Sequence, residues 1–165
     1  MINVERFARP NSVAEAVALL QEPAAFLLAG GTAAAMIRDE KIRTVIDLSG
    51  LEELRILDAD SQRIRLGAMV TMTQIRRHNG LFPALVQCVR GIGSTPLRNV
   101  ITVGGELAHG VYWNDLPVLL LAADARVELQ DANGIEQVPV ATFLAEHPKR
   151  ALSGGRMITA VEFPL

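Results

Sequence analysis

Two short stretches carry the residue types best suited to chemistry. Gly30-Gly31-Thr32 lies within "LLAGGTAAAM" (27–36), and Thr102-Val103-Gly104-Gly105 opens "TVGGEL" (102–107). Glycine admits positive φ and lets a ligand approach the backbone, so an apolar strand running through Gly-Gly-Thr into helix-forming residues can aim several N–H groups into one concavity. Donors of that kind at a helix start suit an anion, and a diphosphate has the charge for the place. The hydroxyls of Thr32 and Thr102 would each add a hydrogen bond. The competing reading is a pair of plain turns, for which glycine is equally apt. Sequence-local chemistry leaves both readings standing.

Several other chemistries are set aside. Neither stretch ends in Gly-Lys-Ser or Gly-Lys-Thr, and neither has Gly-x-Gly-x-x-Gly spacing, so neither a Walker A loop nor a dinucleotide fingerprint is present. Gly91-Ile92-Gly93-Ser94 does not complete the Gly-x-Ser-x-Gly elbow of a hydrolase. His78, His109, His147 and the lone Cys88 lack metal-ligand spacing, so no metal site and no internal disulfide is expected. The 16 basic and 18 acidic residues leave a formal net charge of −2, which argues against a general electrostatic grip on nucleic acid or an anionic membrane. The most apolar run, Leu116 to Ala123, is far short of the roughly 18 residues that a membrane span requires. The opening residues carry no basic run followed by an apolar segment, so a cytoplasmic location is expected.

The two stretches need a scaffold. A chain of 165 residues can bury roughly 70 % of its extended surface, enough for a stable core. Only 4 % of the residues are aromatic against 50 % hydrophobic, so Leu, Val, Ile and Ala must build that core. Over the first fifty residues the pattern reads β-α-β-α-β. Strands are expected at Val4–Phe7, Ala24–Leu28 and Thr44–Leu48; helices are expected from Ser12, with Glu15 completing a capping box, and over Ala33–Asp39. Such alternation predicts a small parallel sheet. After "SGLEEL" it gives way to a hairpin (Arg55–Asp58, Arg63–Ala68), a helix capped by Thr71 and Gln74, and a helix over Pro83–Arg90. Gly91 to Gly105 reads as a long connection. A helix over Leu116–Ala123, strands at Arg126–Gln130 and Glu136–Val140, a helix over Ala141–Glu146 and a strand at Met157–Phe163 follow. The shift divides the chain into lobes at 1–54 and 55–165, each with one threonine–diglycine stretch.

Taken in order, these motifs resemble the FAD-binding subunit or domain of the molybdenum hydroxylases, the family that includes xanthine dehydrogenase. "FARPNSVAEAVALL" resembles the family's opening, "LLAGGT" its first flavin loop and "TVIDLSGLEEL" the strand and turn after it. "IRLGAMVTMTQI", "GIGSTPLRNVITVGGELA", "NDLPVLLLAADARVEL" and "MITAVEFPL" follow in the family's order and cover nearly the whole chain. The resemblance implies an α+β, two-lobed FAD-binding fold of the type shared with vanillyl-alcohol oxidase, in which a small β/α lobe and a larger antiparallel lobe hold flavin between them. It further implies that Leu28, Ala29, Gly30, Gly31, Thr32, Ala33 and Ala34 wrap the diphosphate, together with the backbone of Thr102, Gly104 and Gly105. Ile92 matches a position packed near the cofactor, Asp115 an acidic acceptor of cofactor hydrogen bonds, and Ile158 a residue near the isoalloxazine ring.

Each of these has a plainer alternative. Asp115 could cap the following helix, Ile92 and Ile158 could be core residues, and the pair Tyr112-Trp113 could shield a flavin edge, meet a partner or pack as a corner. Arg98 and Asn99 read as braces of their loop. Two positions depart from the family: Ala33 stands where a polar side chain usually follows Gly-Gly-Thr, and Glu106 stands where asparagine usually follows the second diglycine. Glu106 is expected either to turn aside or to meet a donor on the flavin, because a carboxylate aimed at the diphosphate would repel it. The family also continues into a C-terminal domain beyond the 165 residues, so a short member and a piece of a longer chain are both open.

The resemblance implies an electron-transfer role without a catalytic acid or base in this chain. A molybdenum-cofactor large subunit and an iron–sulfur (2Fe-2S) small subunit would be partners, with NAD or another acceptor receiving the electrons. The alternative is a degenerate domain of the same fold that has lost flavin and serves in assembly or scaffolding.

Overall fold

The computed structural model describes residues 4–33, 39–111 and 114–164. The expected helix over Ala33–Asp39, and the site assignments to Ala34, Tyr112 and Trp113, fall wholly or largely outside those residues. Strand β1 (Arg6–Ala8) leads through helix α1 (Val13–Leu20) to β2 (Ala25–Leu28) and β3 (Thr44–Asp47), and β3 lies between the other two with all three parallel. β1 starts later than the expected Val4 because its partner does: Arg6 pairs with Thr44. The Ser12 hydroxyl caps α1 by accepting from Glu15 N–H at 3.1 Å. The capping box is displaced by one residue, however, since the Glu15 carboxylate accepts from Asn11 N–H at 2.7 Å instead of from Ser12. The apolar stripe Val13, Ala16 and Val17 packs α1 onto this sheet with Ile46 and Leu48.

Two 3-10 turns, Leu48–Gly50 and Glu52–Arg55, join the lobes and push the next strand, β4, to Leu57–Ala59 rather than Arg55–Asp58. The rest of the chain supplies β5 (Arg63–Gly67), α2 (Met72–Arg77), α3 (Pro83–Gly91), α4 (Thr95–Arg98), α5 (Val103–His109), α6 (Asp115–Ala122), β6 (Arg126–Asp131), β7 (Gly134–Pro139), α7 (Val140–Glu146), α8 (Pro148–Ala151) and β8 (Met157–Pro164). The five strands form an antiparallel sheet in the order β4-β5-β8-β6-β7, with a bulge at Glu128/Leu129. The fold is thus α+β with one parallel and one antiparallel sheet, as expected. No helix among the described residues is long and apolar enough to cross a membrane.

The expected connection from Gly91 to Gly105 is instead mostly helical. Pro96 starts α4 within its first turn, and Thr102 caps α5. The glycine pair, which argues against helix on propensity, sits inside the first turn of α5, where contacts to β5 and the turn after it outweigh that weak preference.

Alternate strand residues send Ile64, Leu66, Val127, Val161 and Phe163 into one core with α2, α3, α5, α6 and α7. The smaller core of the first lobe borrows Met69 and Met157 from the second, so the lobes share packing. On the opposite face of the large sheet Glu128, nearly buried, gathers three donors. Arg65 Nη2 lies at 2.8 Å, Thr159 Oγ1 at 2.6 Å and Gln137 Nε2 at 3.1 Å from its carboxylate oxygens.

Candidate functional site

The apolar residues of β2 end at Leu28, and Ala29 leads into Gly30 beside the chain that precedes α5. A Cβ added to Gly30 would stand 1.7 Å from the carbonyl oxygen of Val100 and 2.7 Å from its carbon. No side chain fits there. Gly31 follows with φ of +74°, a left-handed conformation that strains any other residue. The first diglycine therefore has two distinct jobs: Gly30 permits one backbone to rest on another, and Gly31 reverses the loop. Thr32 is exposed and Ala33 half-buried. The N–H groups of Gly30, Gly31 and Thr32 donate to no other described residue, which leaves three successive donors at this edge. Gly30 is half-buried and Gly31 and Thr32 are exposed, so these donors are open to solvent and to any ligand that approaches the loop.

The second diglycine behaves differently. Thr102 is buried, and its hydroxyl accepts from Gly105 N–H at 3.1 Å. Val103 N–H donates to Val70 O, Gly104 N–H to Ala68 O and Glu106 N–H to Thr102 O, each at 2.9 Å. The N–H groups of Val103, Gly104 and Gly105 are thus taken up within the fold, and only that of Thr102 in this stretch has no acceptor among the described residues. Gly104 is needed for packing, because a Cβ there would lie 2.9 Å from the Ala68 Cβ and 3.1 Å from its carbonyl oxygen. Together with the bond from Met72 N–H to Ile101 O at 3.1 Å, these contacts fix the Val100–Gly105 chain on which Gly30 rests.

The remaining assigned residues fall into two groups. Asp115 begins α6, but the cap position belongs to Asn114, and neither carboxyl nor amide caps the helix. The Asn114 amide instead reaches the Glu106 carbonyl oxygen at 3.5 Å. The Asp115 carboxylate lies beside Gly91 at the end of α3, and its charge acts on Glu106 of α5. Burial, and then the Asp115 charge, raise the Glu106 carboxyl above the ordinary glutamate range. Burial followed by the charges of Asp115 and Glu106 pushes the nearby Cys88 thiol up to about 11, which keeps it protonated and unreactive at neutral pH. Glu106 and Asp115 are thus two acceptors close enough for the charge of one to act on the other. Ile92 is half-buried at the end of α3, whereas Ile158, only 6 % exposed, lies in the core on β8 and pairs with Leu129.

A pH test follows from the direction of the Glu106 shift. A carboxyl whose folded value is raised weakens the fold once it ionises. That penalty is absent below its unfolded value and grows as pH rises through the folded value. Glu106→Gln should therefore raise the melting temperature by about 1–2 °C at pH 7.5. The gain should vanish near pH 4, as measured by differential scanning calorimetry across pH. Equal gains at both pH values would show that ionisation of Glu106 carries no penalty in the fold.

The Val100 carbonyl has no signal in the sequence, since only the tertiary contact with Gly30 reveals it. The chemistry of the Gly30–Thr32 loop fits a diphosphate: neighbouring free N–H donors, a backbone close enough for direct approach, and no bulky side chain at either glycine. The carboxylates of Glu106 and Asp115 do not suit phosphate, but they suit hydroxyl or amino donors elsewhere on the same ligand.

Comparisons with known proteins agree with this fit. The family described as FAD binding domain in molybdopterin dehydrogenase matches residues 3–165. The xanthine dehydrogenase FAD-binding subunit of Escherichia coli O157:H7 is 31 % identical over 175 residues, which cover 99 % of this chain and 59 % of that protein. The carbon monoxide dehydrogenase medium chain of Hydrogenophaga pseudoflava is 30 % identical over 163 residues, covering 94 % of this chain and 57 % of its own length. A solved structure of carbon monoxide dehydrogenase from that organism superposes with a TM-score of 0.91 at 28 % identity, over 99 % of this chain and 60 % of the other. The chain therefore spans somewhat under two thirds of the length of the relatives it matches. By the match over almost its full length, the chain belongs to the family of FAD-binding domains of molybdopterin dehydrogenases, and FAD is the cofactor of that family.

Proposed function

We propose that this chain binds FAD and serves as the electron-transfer domain of a molybdenum hydroxylase. It would stand between iron–sulfur clusters on a partner chain and an acceptor such as NAD⁺, a quinone or oxygen. The observation that carries the reading is the row of N–H groups at Gly30, Gly31 and Thr32 without acceptors among the described residues, in a loop whose Gly30 packs on Val100. Bound FAD supplies the redox chemistry, which no side chain of the protein can provide.

The protein's own residues bind and orient. Leu28 and Ala29 deliver the loop from β2, and Gly30, Gly31 and Thr32 donate to the diphosphate while Ala33 leaves the contact to the backbone. Thr102, Gly104 and Gly105 act beneath this loop as its rigid support rather than as donors. Glu106 and Asp115 accept from hydroxyl or amino groups of the cofactor, Ile92 offers an apolar wall, and Ile158 supports the flavin from within β8. In this reading the lobes 1–54 and 55–165 close on the cofactor from two sides.

The test is to purify the protein, record its visible spectrum and identify any released cofactor by chromatography. A yellow protein that releases FAD, or a colourless one that takes up added FAD, is expected. A colourless preparation that takes up none would favour the flavin-free scaffold instead. Co-isolation with an iron–sulfur chain and a molybdenum chain is the expected outcome for the partners, and isolation without either would count against them.

A further inference from the structure

We propose that Arg98 is a positioning residue of the flavin site, gathering the 90–95 segment around its guanidinium and thereby setting the floor on which the Gly30–Thr32 loop rests. Arg98 Nη1 donates to the carbonyl oxygens of Ile92 at 3.0 Å, Gly93 at 2.6 Å and, more weakly, Arg90 at 3.3 Å. Nη2 donates to Thr95 Oγ1 at 2.8 Å. Arg98 is half-buried, and an arginine so placed commonly pairs with a carboxylate. Arg98 has none among the described residues, and its Nε is buried without a partner. An arrangement in which every partner is a neutral acceptor on a few neighbouring residues organises a segment and leaves the charge uncompensated.

What it organises is next to the site. The wrapped segment contains Ile92 and the left-handed Gly93 (φ +52°), where an added Cβ would meet Leu97 at 3.2 Å. Arg98 ends α4, and the N–H groups of Val100 and Ile101 both donate to Leu97 O, at 3.0 and 2.8 Å. The Val100 carbonyl thus held is the one against which Gly30 packs. From the other side, Asn99 accepts from the Thr73 hydroxyl at 2.7 Å, pinning α4 to α2. The guanidinium holds the Ile92 segment directly, and the chain that follows it carries the Val100 carbonyl on which the Gly30 loop rests. Lysine cannot replace the arginine, because a compact ammonium cannot span acceptors spread along the segment.

The inference rests on the FAD reading, and its test separates the two. The FAD dissociation constant, the visible circular dichroism of bound flavin at saturation and the melting temperature of the cofactor-free protein are measured for the wild type, Arg98→Lys and Thr95→Val. Arg98→Lys should bind FAD about tenfold more weakly, with an altered flavin dichroism even at saturation, and Thr95→Val about threefold more weakly. A purely stabilising arginine would lower the melting temperature and leave the dichroism of bound flavin unchanged. Wild-type affinity and dichroism in Arg98→Lys would overturn the positioning role while leaving the FAD reading intact. If Arg98→Lys does not fold, Thr95→Val decides by the same two readouts. A wild type that binds no FAD would overturn the FAD reading, and the positioning role with it.

Discussion

Gly30→Val abolishes FAD binding and destabilises the protein by about 3 kcal/mol, at the upper end of what overpacking costs, and so lowers the melting temperature by roughly 6–12 °C. The reason is steric and local. A Cβ at this position would sit 1.7 Å from the Val100 carbonyl oxygen, backbone against backbone, where no side-chain rotation offers relief. Either the loop lifts off its support, moving the N–H groups of Gly30, Gly31 and Thr32, or the 100–105 chain retreats. Retreat would break the bonds from Met72 N–H to Ile101 O and from Val103 N–H to Val70 O. Gly50→Ala is the matched control, since nothing lies within 4 Å of an added Cβ there. It should leave FAD affinity unchanged and stability within about 0.5 kcal/mol of wild type. Flavin fluorescence titration and calorimetry measure both quantities, and Gly30→Val with wild-type affinity would show that the loop does not depend on this contact.

The second large effect is on stability alone. Glu128→Ala removes the shared acceptor of Arg65, Thr159 and Gln137, leaving the half-buried guanidinium only its longer pairing with Glu162 at 3.7 Å and the Thr159 hydroxyl only the residue-128 carbonyl at 3.4 Å. Breaking a buried charge pair from one side costs about 3–5 kcal/mol; with Arg65 29 % exposed, about 2–3 kcal/mol is expected. Burial pushes the Glu128 carboxyl up, but hydrogen bonds from Arg65, Thr159 and Gln137 and the Arg65 charge together outweigh it and hold the group below the ordinary range. The sign for stability follows. A depressed folded value contributes stability that is fully present above the unfolded value and is lost as pH falls through the folded one. The deficit of Glu128→Ala relative to wild type should accordingly be constant from pH 6 to 8 and shrink in acid below the unfolded value of about 4.3. Urea denaturation across that range measures it, and a deficit that grows in acid would contradict the assignment.

Features settled by near neighbours were legible in the sequence. Thr71 and Gln74 form the expected capping box, with Thr71 N–H donating to Gln74 Oε1 at 2.8 Å and Gln74 N–H to Thr71 Oγ1 at 3.2 Å. The hairpin of β6 and β7 follows from "DANG", and the three strands of the first lobe are parallel as the sequence pattern predicts. Features settled by distant partners were not. Val103 and Gly104 look like loop residues until Val70 and Ala68 are seen to accept their N–H groups. For the same reason the two threonine–diglycine stretches look alike in sequence and differ in the fold: the N–H groups of Gly30, Gly31 and Thr32 have no acceptor among the described residues, whereas those of Val103, Gly104 and Gly105 are bonded within the fold. The family and its cofactor became legible through the order of many weak motifs. The proposed roles within the site depend on contacts such as Gly30 with Val100 and Gly104 with Ala68, which neither spacing nor composition encodes.

The central claim is that the first stretch alone grips the diphosphate through its backbone. It is tested most directly by amide proton–nitrogen correlation spectra of the cofactor-free protein titrated first with riboflavin and then with FAD. The amide protons of Gly30, Gly31 and Thr32 should move strongly downfield with FAD and little with riboflavin, which lacks phosphate, while those of Gly104 and Gly105 stay near their starting positions. Large phosphate-dependent shifts at Gly104 and Gly105, with none at Gly30 to Thr32, would contradict it.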